Sequence, residues 1–244
     1  MREFAKLPTS WITDKERPGL KRLKWDGTDN AGNVAALMIY IAIAHHVNEK
    51  PNEAFSKPGF ARLSYSDFQK IVGLSRAKIA AGLKILEDLG IVVVNKEEKT
   101  SVYQLVGYPA ERWGKLPCGY LYQDGRIRVF GDFHLRLKNE LNALKMYLLM
   151  VAFRDNASNY TIIAYENIHR YTGIPENDIR SAISLLVNLR LIQVDRSSEP
   201  MDDGESWTIK NKNLYRLLGL RGRHLGNTSK DDLHQHIETA NLPD

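Results

Sequence analysis

Cysteine is almost absent from this chain of 244 residues: Cys118 stands alone. A single thiol excludes an internal disulfide and any zinc site built from several cysteines, and it fits a reducing cytoplasm. Long apolar runs are missing too. The longest, Val34 to Ala44, falls well short of the roughly 20 residues that span a bilayer. The opening MREFAKLPTSW lacks the apolar segment of a signal peptide, so a soluble, cytoplasmic protein is expected. No Walker loop and no Rossmann glycine pattern is present, which argues against a nucleotide-driven motor.

Chemistry-bearing constellations are equally scarce. Ser75-Arg76-Ala77-Lys78 has a Ser-x-x-Lys spacing but no companion motif, and Ser75 is better explained as a helix cap. Asp202-Asp203-Gly204-Glu205 lacks the alternating ligands of a calcium loop. His45 and His46 are adjacent, so on a helix they diverge and cannot chelate one metal; they mark a helix end. Tyr65 and Tyr165 are read as core or docking aromatics. The expectation is a non-enzyme with no catalytic residue, metal or cofactor.

What the chain does have is a normal apolar fraction of 43%, enough for real cores, and a formal charge of +5 that favours an acidic polymer as partner. It also repeats itself. Residues 63–94 align without a gap to residues 163–194 at an offset of 100, with Tyr65/Tyr165, Gly73/Gly173, Ile79/Ile179, Leu86/Leu186, Leu89/Leu189 and Val94/Val194 identical. Upstream, Ala36-Leu37 and Tyr40 match Ala143-Leu144 and Tyr147 at offset 107, and Lys6-Leu7-Pro8 matches Lys115-Leu116-Pro117 at offset 109. Two copies of one domain are expected.

Each copy opens with an apolar helix, Ala31 to Val47 and Glu140 to Arg154. A short helix follows, Tyr65 to Val72 and Tyr165 to Thr172; Ser64 and Asp67 form a capping-box start in the first copy. Gly73 and Gly173 fall where a tight turn needs positive φ. Ser75 caps the next helix in one copy and Pro175 begins it in the other. Gly90 closes the first of these, and a hairpin follows from Ile91 to Val94 through NKEEKT to SVYQLV. In the second copy LIQV, the loop DRSSEPMDDGES and the strand WTIK take that part.

At LSRAKIAAGLKILEDLGIV the chain resembles the winged helix-turn-helix superfamily, over roughly residues 31–107 and 139–220. The resemblance implies an α+β, mostly α fold of two tandem winged-helix domains. The divisions are a basic arm (1–30), domain 1 (31–108), a connector with a hairpin (109–138), domain 2 (139–220) and a tail (221–244). It further implies a recognition helix in the major groove of double-stranded DNA.

Charge separates the copies. Residues 62–84 carry Arg62, Lys70, Arg76, Lys78 and Lys84 against Asp67, whereas residues 162–184 carry two arginines against three carboxylates. Domain 1 is therefore the expected DNA reader, with Ser75, Arg76, Lys78 and Ala81 toward bases and Lys84, Arg62, Lys70, Lys96 and Lys99 toward phosphates. Domain 2 offers Asn177, Arg180 and Ser181, but its acidic wing leaves either DNA or a protein contact, a homodimer or other partner, open. Further phosphate candidates are Lys21, Arg22 and Lys24, Arg126 and Arg128 beside an Asp124-Gly125 turn, and Arg221 and Arg223. The expected role is a nucleoid-associated transcriptional regulator. The layout is also similar to plasmid and phage replication initiators, and to winged-helix scaffolds of chromosome-organising complexes.

Overall fold

The computed structural model describes residues 2–96, 100–109, 111–200 and 209–220. Strand β1 (Phe4–Pro8) leads into two single-turn helices, α1 (Ser10–Thr13) and α2 (Gly19–Arg22), and then the long helix α3 (Asn30–His46). A short strand β2 (Phe60–Leu63), helices α4 (Tyr65–Val72) and α5 (Arg76–Asp88) and a hairpin, β3 (Val92–Lys96) and β4 (Ser101–Leu105), complete the first half. The second half has the same order from its long helix onward, and a hairpin and 3-10 turns in place of the two short helices. Strand β5 (Trp113–Pro117), a small hairpin β6 (Tyr122–Gln123) and β7 (Arg126–Ile127), and a 3-10 turn (Arg128–Asp132) precede helix α6 (Lys138–Phe153). Then come β8 (Tyr160–Ile162), α7 (Tyr165–Thr172), α8 (Glu176–Asn188), β9 (Ile192–Pro200) and β10 (Ile209–Leu217). The fold class is α+β.

Helices α3 and α6 are the axles of the core. Residues 32–45 of α3 and 140–151 of α6 are buried. A helix buried on every side is mostly apolar on every side, and the few polar groups these two bury, such as His45 and Lys145, are hydrogen-bonded. The two pack against each other, α3 also receives α4 and α5, and α6 receives α7 and α8. One hydrophobic cluster runs through both halves, and each fully buried Leu, Ile or Val in it contributes roughly 1.5 to 3 kcal/mol. The C-terminus of α3 is closed by Arg2, whose guanidinium donates to the carbonyls of Ala44, His45 and Val47 at 3.0, 3.1 and 3.3 Å. His45 is buried there, with Nε2 donating to the Pro117 carbonyl at 2.9 Å; burial pushes its pKa down to about 3.

The helix-turn-helix segments follow their local signals. Ser64 accepts from the Asp67 amide at 3.1 Å while the Asp67 carboxylate accepts from the Ser64 amide at 2.7 Å, a closed capping box that also lowers the Asp67 pKa. Gly73 and Gly173 take φ of 73° and 70°, the left-handed turns the spacing predicts. Arg190 adopts φ 54° at the position matching Gly90 in the first half, so that turn is kept without its glycine.

Four features differ from the sequence expectations or escaped them. The strands β2 and β8 were not foreseen; they sit at the edges of three-stranded sheets ordered β2-β4-β3 and β8-β10-β9. Pro175 stands as the cap residue of α8 rather than within it. The second hairpin is longer than expected and placed differently: β9 and β10 pair from Ile192↔Leu217 to Pro200↔Ile209, so DRSSEP is strand, the return strand runs to Leu217, and its residues Leu214 to Arg216 pair with β8. Leu214, Tyr215 and Leu217 are buried, and that apolar set fixes the register.

The fourth feature is β1. Residues 4–8, within the segment read as a basic arm, pair antiparallel with β5 from Phe4↔Pro117 to Pro8↔Trp113, and Leu7, Ile12, Leu20 and Leu23 are buried. The register centres on Lys6↔Lys115, the two lysines that the 109-residue offset relates. Side chains follow the same symmetry. Phe4 and Trp113 stack at 6.0 Å, Lys6 lies 5.0 Å over Trp113, and Lys115 lies 5.1 Å over Phe4. Docking is exchanged as well: α2 packs on α7 of the other half, and β7 packs on α4.

Candidate nucleic-acid interface

Helix α5 buries Ile79, Gly82, Leu83 and Leu86, so the residues between them must face outward. Arg76, Ala80, Lys84 and Glu87 form one such stripe, and all four are exposed. They line a groove of about 530 Å³ whose other wall is Val94, Lys96, Thr100 and Ser101 of the hairpin and whose end is Ser64, Tyr65 and Ser66. Its floor includes Leu63, Leu83 and Tyr103; burial raises the Tyr103 pKa to about 12, keeping that phenol neutral. The Arg76 guanidinium lies 5.6 Å over the Tyr65 ring. A cation held over an aromatic ring loses less freedom when it binds a further partner.

The expected readers fall into place unevenly. Ser75 is the cap of α5, its hydroxyl accepting from the Lys78 amide at 3.4 Å. Lys78 is exposed but does not line the groove, and Ala81 is half-buried. Arg62 projects from β2, its guanidinium 5.5 Å over Phe55, and does not line the groove. Lys99, Arg221 and Arg223 lie outside the described residues, as does the tail. The sequence reading missed Ala80, Ser66, Thr100 and Ser101; the four-residue step from Arg76 to Ala80 was the one available signal.

Two of the basic stretches have definite structural positions. Arg22 donates to the carbonyls of Leu89 and Asp88 at 3.3 Å each, capping the C-terminus of α5, where a cation is favoured by the exposed carbonyls. Lys21 lies against the turn between α7 and α8, 3.1 Å from where a side chain on Gly173 would begin. Lys24 is exposed, and its carbonyl accepts from Asn33 at 2.7 Å. Lys70, Arg126 and Arg128, distant in sequence, meet around a single notch of about 480 Å³. The turn there is as expected, with Asp124 at φ 52° and Gly125 at φ 77°.

In the second half, Asn177, Arg180 and Ser181 are exposed on α8. Glu176 and Asp178 occupy the first turn, where carboxylates stabilise the helix, and Asp178 is paired with Lys138 at 2.6 Å. Asn139 donates to the Ser181 carbonyl at 3.2 Å. Among the described residues no group of three or more His, Cys, Asp or Glu could hold a metal ion, and no helix is long and apolar enough to cross a membrane.

No protein-family model matches the chain, and no curated protein does. One solved structure to which it is similar is "The crystal structure of I-DmoI in complex with DNA and Ca", at 10% identity, covering 86% of this chain and 90% of that one with a TM-score of 0.22. At that score the likeness carries no argument about fold. The expectation of a non-enzyme is withdrawn, and the enzymatic status of this chain is unassigned.

Proposed function

We propose that this chain is a sequence-specific double-stranded DNA-binding protein made of two winged helix-turn-helix units, with α5 as the major-groove helix and β3–β4 as its wing. The observation that carries this reading is the groove in which exposed Arg76 and Lys84 of α5 face Lys96 of the hairpin. Major-groove readers present the N-terminal part of such a helix to base edges and nearby cations to phosphates. The matching element order of the halves and the β1–β5 register centred on equivalent lysines support duplication, with units over residues 31–108 and 139–220.

The second unit is assigned to a protein contact, a second copy of the chain or another partner. Glu176 and Asp178 stand in α8 where α5 has Arg76 and Lys78, and phosphates repel them. The chain's biological role is regulation of transcription through the α5 surface, with origin binding as the rival use of the same surface. Selection of bound sequences from random duplex DNA, followed by affinity across a salt series, tests the reading. One enriched motif with steep salt dependence supports it, and its occurrence over promoters or in iterated repeats beside an origin separates the two roles. Absence of salt-sensitive duplex binding refutes it.

A further inference from the structure

We infer that Lys70, Arg126 and Arg128 form a clamp for a DNA backbone phosphate beside the segment contacted by α5; the inference rests on the DNA-binding reading above. The three cations come from the last turn of α4, from β7 and from the start of the 3-10 turn that follows it, and Asp124 is the one carboxylate lining their notch. Like charges gathered in one recess repel each other, so the arrangement stores a potential that an anion relieves. Among the described residues, no ion pair within 4 Å engages any of the three.

The notch is built rather than incidental. Arg126 Nε donates to the Lys70 carbonyl at 3.4 Å, which closes α4 and sets the hairpin beside it. The Lys70 side chain runs along the hairpin turn, its Cε 3.2 Å from where a side chain on Gly125 would begin. Position supplies the ligand. Lys70 lies on the last turn of α4, which the Gly73 turn and the Ser75 cap join to the N-terminal end of α5, where Arg76 and Lys78 are exposed. A helix seated in the major groove is flanked by sugar-phosphate strands, and a guanidinium can meet a phosphate with two parallel hydrogen bonds. The connector thereby extends the surface of the first half with residues that lie outside its own helix-turn-helix.

The test compares full-length wild type, R126A/R128A and R126K/R128K on one selected duplex and one scrambled duplex across a salt series, with thermal melting as the folding control. The clamp predicts that the alanine variant loses affinity evenly across sequences and that its salt slope becomes shallower by about two, while the lysine variant keeps the slope. An unchanged slope and affinity in a folded R126A/R128A overturns the clamp. If R76A/K78A then still weakens binding, the α5 reading survives that failure; if R126A/R128A weakens binding and R76A/K78A does not, the clamp stands and the α5 reading fails.

Discussion

Lys145 shows how a single residue couples burial to pH. It is buried on α6, its Nζ donates to the Thr172 carbonyl at 3.0 Å, and desolvation, then the neighbouring Lys138 charge, pulls its pKa from 10.5 down to about 7. Between those values the unfolded chain holds a proton that the folded chain has released, so stability rises with pH across that window. Urea unfolding of wild type and K145M at pH 7, 8 and 9 should show wild type gaining on the variant as pH increases; a constant difference would mean that Lys145 stays charged. Gly82 makes a second residue-scale case. A methyl there meets Ile39 Cδ1 at 2.7 Å and the Ala36 amide nitrogen at 2.9 Å, because α5 crosses α3 at close range. G82A should lower stability by roughly 1 to 3 kcal/mol in the same assay, and an unchanged midpoint would show that α3 can shift. Neither role was legible in the sequence, since each depends on what packs against the residue from far along the chain.

At the scale of elements, legibility follows locality. Helices α4, α5, α7 and α8 announce themselves through Ser64, Asp67, Gly73, Ser75 and Gly173, whose effects act within one turn. The strands β2 and β8 are four and three residues long and exist because β4 and β10 pair with them, a contact no short window contains. The Lys-Leu-Pro repeat was visible as a match, but its pairing as β1–β5 was not. The candidate site divides similarly: the charged stripe of α5 could be read from spacing, whereas Arg22, also a phosphate candidate, turns out to cap α5 from a different element. R22A should therefore lower stability by about 0.3 to 1 kcal/mol and leave the salt slope of DNA binding unchanged. A shallower slope with unchanged melting would return Arg22 to the phosphate contacts.

For the whole molecule, the two halves are locked together rather than strung on a linker. The packing of α3 on α6, the β1–β5 ribbon and the exchanged docking of α2 and β7 make one continuous core. Such a chain presents α5 and α8 in a fixed relation, so the basic and acidic halves act as one body. The measurement closest to this account is the affinity of wild type and R76A/K78A for a selected duplex at one salt concentration, alongside E176A on α8. The account predicts at least about a fivefold loss for R76A/K78A, consistent with roughly 1 to 3 kcal/mol for a lost arginine-to-guanine contact, and no loss for E176A. Equal affinity of wild type and a folded R76A/K78A would contradict the placement of α5 in the major groove.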